Sequence, residues 1–146
     1  MNEITIAKKI KTLIETIGYP VSWWASGMPL PKDIPSLIMS NDLISVNNNI
    51  AARSENTLPI SIALFEYRNK NIYADVLDQA EVMLAKIEDA LTLNQEPTLN
   101  KIVSKYYETA RNMLELLPND IIMVGISYSF EYIKLVKKQN KGYGQT

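Results

Sequence analysis

A chain of 146 residues with 47% hydrophobic and 21% charged residues is long enough to bury one core without cross-links and lies far from the composition of disordered segments. Its formal net charge of -1 gives no overall attraction to nucleic acid or to an anionic membrane. With neither histidine nor cysteine, disulfides, thiolate and imidazole metal ligands, and Ser-His-Asp or Cys-His catalysis are all excluded.

Ile6, Ile10, Leu13, Ile14 and Ile17 recur at helical spacing, with Lys8, Lys9, Lys11 and Glu15 on the other side, which predicts an amphipathic helix. Gly18 offers a left-handed cap position, and Pro20 prevents continuation. The charges in this segment set it apart from a secretory leader, and no apolar run approaches the roughly 18–20 residues that span a bilayer. A soluble protein, made and used inside a cell, is expected.

Pro20, Pro29, Pro31 and Pro35 with Gly27 predict a short strand at Val21 to Trp24 followed by an irregular loop. "SLIMSNDLISV" reads as one or two short strands broken at Asn41 and Asp42. "NNNIAARSENT", residues 47–57, reads as a polar, mobile loop or a frayed edge strand. Leu58, Ile60, Ile62 and Leu64 then alternate with Pro59, Ser61, Ala63 and Phe65, giving a strand with one wholly apolar face. Pro59 has no N–H to give a ladder and is expected at the start of that strand.

After the polar connector "RNKN", Asp75 stands as a helix N-cap with Asp78 three residues on. Val76, Ala80, Met83, Leu84, Ile87 and Leu91 form a helical stripe that "TLNQEPT" interrupts. Ile102, Val103, Tyr106, Tyr107, Ala110, Met113, Leu114 and Leu117 return to helical spacing, with Glu108–Arg111 and Arg111–Glu115 as surface pairs. A helix is predicted over 102–117, although Val103, Tyr106 and Tyr107 suit a strand equally well. "PND" is a turn. Ile122, Val124, Ile126, Tyr128, Phe130 and Tyr132 then take one face of a long strand, against Met123, Gly125, Ser127, Ser129 and Glu131.

The expected fold is α/β (α+β): one domain over residues 1–135, a two-layer sandwich of an antiparallel or mixed sheet with helices packed on one face. Residues 136–146 are expected to form a flexible basic tail. Lys134, Lys137, Lys138 and Lys141 with Tyr143 read as solvated positions rather than as a phosphate site.

No phosphate-cradling glycine loop occurs. Asp75, Asp78 and Glu81 are explained by helix capping, and adjacent Glu88 and Asp89 diverge on a helix. No catalytic, cofactor or metal site is therefore expected. Trp23 and Trp24 are the unusual pair, because neighbours on a strand face opposite sides. At most one enters the core easily, and the other lies under loop packing or anchors a partner.

The helix followed by a "Y-P" step, the short strands, "LPISIALFEYR" leading to a capped helix, and the closing "VGISYSFEYIK" resemble the tail-terminator (tail-completion) proteins of long-tailed bacteriophages. The resemblance covers most of the chain as a pattern of elements. A helix over 102–117 departs from it, since that family often has β structure before the last strand. The resemblance implies a virion protein, assembled in the host cytoplasm, whose copies form a ring, typically a hexamer. Such a ring caps the tail tube and meets the head-side connector, with DNA passing only through its lumen and no membrane involved. Trp23, Trp24, Asn47, Asn48, Asn49, Arg53 and Glu55 are the candidate contacts. Another neck or head-closure component, a carboxylate enzyme and a small nucleic-acid-binding module are the alternatives.

Overall fold

The computed structural model describes residues 2–25, 27–29, 31–48, 52–92, 98–99 and 101–135; the expected tail at 136–146 lies outside them. The first helix, α1 (Glu3–Glu15), starts where the Asn2 side chain accepts the Thr5 backbone N–H at 2.9 Å. Ile6, Ile10 and Ile14 are wholly buried beneath it. Gly18 holds φ +97°, the left-handed geometry that lets the chain leave the helix.

Among the described residues six strands and a second helix follow: β1 (Val21–Trp23), β2 (Ser36–Asn41), β3 (Ser45–Asn47), β4 (Arg53–Tyr67), α2 (Val76–Thr92), β5 (Lys105–Leu117) and β6 (Ile121–Leu135). They form one mixed sheet in the order β1-β2-β4-β6-β5, with β3 beside β4. Among the described residues only the β1–β2 pairing is parallel. The fold is thus α+β, with both helices packed against one sheet face. Leu58, Ile60, Ile62 and Leu64 of β4 and Ile122, Val124, Ile126 and Phe130 of β6 meet Met83, Ile87 and Leu91 of α2 in that core. As the sequence predicts, Asp75 caps α2, its carboxylate accepting the Leu77 N–H at 2.9 Å.

Three expectations are corrected. Residues 105–117 form a strand, β5, paired along β6, and not a helix. Register shifts between Glu108 and Ala110 and between Asn112 and Glu115 break the two-residue alternation. The apolar positions then fall at intervals that imitate a helix. Tyr106 stacks on Phe130 with ring centroids 5.7 Å apart, a contact made across the ladder.

Pro59 lies inside β4 rather than at its start, opposite Ser129 of β6. Its carbonyl accepts the Asp42 N–H at 3.2 Å, so its nitrogen faces the same side, towards residues 42–44, where the row formed by β2 and β3 is interrupted. The missing N–H therefore falls at a gap in the ladder. Finally, of the two readings for residues 47–57, loop or frayed edge strand, Arg53 to Thr57 are strand, but an interior one that begins β4. Glu55 to Thr57 pair with β3 on one side, and the whole stretch pairs with β6 on the other.

Candidate assembly surface

Cross-strand register fixes which residues share a face, because directly opposed residues point the same way. Trp23 opposes Met39 and so lies on the helix-bearing face. Its indole N–H donates to Asn41 Oδ1 at 3.1 Å. The ring lines an apolar groove of about 350 Å³ between α1 and this edge of the sheet, together with Ile4, Ile44 and Leu58. Trp24 follows β1 and is held locally. Its backbone N–H donates to Met39 at 2.7 Å, and its indole N–H donates to the Met28 carbonyl at 2.9 Å. It packs with its own loop.

Asn47 opposes Glu55 on the other face, and Arg53 shares that face two residues away. Arg53, Glu55, Asn47 and Asn48 are all exposed at the β3–β4 end of the sheet. Asn49 lies outside the described residues. The structure therefore brings Asn47, Arg53 and Glu55 together and leaves Trp23 on the opposite side of the sheet. The helix-free face near its centre is built from small groups. Ser61, Ala63, Gly125, Ser127 and Ala110 line a shallow hollow there, and the Ser61 and Ser127 hydroxyls lie 2.7 Å apart.

Sequence reasoning missed the polar lock at the opposite end. Glu66 continues the buried, helix-facing register of β4, which is the signal that could have found it. Its carboxylate accepts Lys86 Nζ of α2 at 2.6 Å and the Tyr19 hydroxyl at 3.1 Å, and Lys86 also donates to Tyr19 at 2.9 Å. Burial pulls the Lys86 ammonium down, but the hydrogen bonds with Glu66 and Tyr19 outweigh it and the net shift is upward. Buried Gln79 ties the same corner to the backbone. Its amide donates to the Tyr67 carbonyl and accepts the Asn69 N–H, both at 2.9 Å.

The remaining perturbed acids sit in ion pairs or hydrogen bonds at the surface. Hydrogen bonds from Arg111 hold the Glu108 carboxyl below its ordinary range. Glu3 is lowered by its own backbone N–H and then by the Tyr132 hydroxyl, 2.9 Å away. Burial raises the Tyr128 phenol, with Glu108 and Glu88 adding to it. Among the described residues no three Asp or Glu side chains are grouped to hold a metal. No helix among them is long and apolar enough to cross a membrane.

No protein-family model matches this sequence, and no curated protein matches it. Among solved structures, a chain from "Virion of native gene transfer agent (GTA) particle" is similar over 88% of this chain and 92% of its own, with a TM-score of 0.45 and 8% identity. The likeness concerns the outline of the fold, and no residue role is taken from it.

Proposed function

We propose that this chain is a structural virion protein, a tail terminator whose copies assemble into a ring that caps a phage-type tail tube and joins it to the head-side connector. The observation that carries the reading is β5. A helix before the final strand would have set the chain apart from the terminator pattern, whereas strand Lys105–Leu117 agrees with it. The element order of helix, short strands, long strand, capped helix and two long strands then runs the length of the described chain.

The surface chemistry supports the same reading. Large apolar side chains stay exposed at both ends of the sheet, among them Ile4, Leu43 and Leu135 at one end and Tyr67, Ile72 and Leu116 at the other. Ile4 lines the groove beside α1 and Leu135 lines a neighbouring pocket, and exposed apolar side chains gathered at a concave surface support a contact there. The acids described above serve caps, ion pairs and one lock. In this reading the chain acts stoichiometrically: occupying the last ring of the tube prevents further addition.

Polymerisation of tail tube protein in the presence of the purified chain tests the proposal. Growth is expected to stop at amounts of the chain far below those of the tube subunit, with the chain labelled at one tube end only. Tubes that lengthen unchanged, or label scattered along their sides, would contradict it.

A further inference from the structure

The groove beside α1 is apolar within and basic along its margin. Ile4, Trp23, Ile44 and Leu58 line it together with Lys8 and Lys11. Glu3 also lines it, but its carboxylate is engaged by the Tyr132 hydroxyl at 2.9 Å and by Lys134 at 3.4 Å. It opens where the β2–β3 row breaks at residues 42–44. Lys8 makes no ion pair among the described residues, and the Lys11–Glu15 pair is a loose one, 3.8 Å between exposed side chains. The groove therefore suits an apolar side chain flanked by carboxylates.

A segment of that chemistry stands on the opposite edge of the same sheet. At the β5–β6 turn Leu116 is 62% exposed, with Glu115 beside it and Asp120 across the turn. The turn is tied to the chain that follows β4. Asn119 and Asp120 hold φ of +66° and +57°, a geometry those residue types tolerate, and the Asp120 carbonyl accepts the Arg68 N–H at 2.7 Å. Neither acid forms an ion pair among the described residues. Strand addition along β5 is a poorer contact, since two bulges and the charges Lys105, Glu108, Arg111 and Glu115 mark a protected edge.

We infer that the groove receives the β5–β6 turn of a second copy, with Leu116 entering among Ile4, Trp23, Ile44 and Leu58 and with Glu115 and Asp120 facing Lys8 and Lys11. The two surfaces lie on opposite edges of one sheet, so the contact is heterologous and repeats from copy to copy until a ring closes. The inference rests on the ring-forming reading and names the surfaces that meet.

The chain has no cysteine, which makes cross-linking a clean test. Copies carrying Lys8→Cys are mixed with copies carrying Asp120→Cys under mild oxidation by glutathione disulfide, with Asp89→Cys replacing Asp120→Cys as the control. A disulfide-linked heterodimer is expected in at least tenfold excess over the control. Sedimentation velocity of the unaltered chain is run alongside. Reversing the groove charges with Lys8→Glu and Lys11→Glu is expected to weaken association at least tenfold, and adding Glu115→Lys and Asp120→Lys is expected to restore it. If the unaltered chain assembles but the heterodimer does not exceed the control, this contact is wrong and the ring reading stands. If the unaltered chain is monomeric at every concentration, the ring reading fails and the contact falls with it.

Discussion

Glu66 and Lys86 show how one charge in a strand organises a corner of the molecule. The pair is part-buried, with side-chain exposures of 13% and 32%, and Lys86 also lies 5.1 Å from the centre of the Tyr19 ring. Removing the cation leaves a carboxylate that can recover only part of its lost partner from water. Lys86→Met is therefore expected to cost about 1–3 kcal/mol, less than for a fully buried pair. Urea unfolding would measure it, and an unchanged midpoint would show that the lock contributes nothing. Phe130 is the corresponding apolar case. It is wholly buried and packs with both Tyr106 and Tyr128. Phe130→Ala is expected to destabilise by about 3–5 kcal/mol through the lost transfer energy and the cavity left behind, read from the same unfolding curves.

Among the elements, β4 carries the clearest test. Its proline is tolerated because the nitrogen meets the break between β2 and β3, so the cost of Pro59 is positional. Pro59→Ala is expected to cost no more than about 1 kcal/mol, chiefly from the greater freedom of the unfolded chain. Ile62→Pro, in the same strand but opposite Met39 on one side and Ile126 on the other, is expected to prevent folding. Circular dichroism and thermal unfolding of both variants would decide it. Equal tolerance of the two prolines would remove the gap explanation.

The same elements show what the sequence made legible. Both helices and the core faces of β4 and β6 are written in unbroken periods, and the structure has them. β5 was hidden because its bulges insert residues into the alternation, and a period of two interrupted twice resembles one of 3.6. The first residues of β4 stay ambiguous between loop and strand in the sequence because Arg53, Glu55 and Thr57 face away from the helices, where polarity carries no penalty. Trp23 stands out in the sequence as half of a tryptophan pair, but the groove it lines does not. That groove requires α1 and the β2–β3 break to come together from separate parts of the chain.

On the scale of the whole molecule, ionisation sets a window of stability. The Glu3 and Glu108 carboxyls are lowered from their ordinary value of 4.5 in the folded state. Their contribution is present above that value and lost as pH falls through the folded values. Lys86 is raised from 10.5. Its contribution is present below that value and lost as pH rises through the folded one. Tm is expected to be highest between these limits and to fall on both sides, with Glu108→Gln reducing the acid-side loss. A Tm that rises below pH 4.5 would contradict these assignments.

In the proposed function the chain works by contacts among its own copies at the end of a tube. The most direct measurement is the native mass of the purified full chain, taken across concentration and paired with negative-stain images. A closed ring of fixed copy number is the predicted result, and a monomer that persists at every concentration would contradict it.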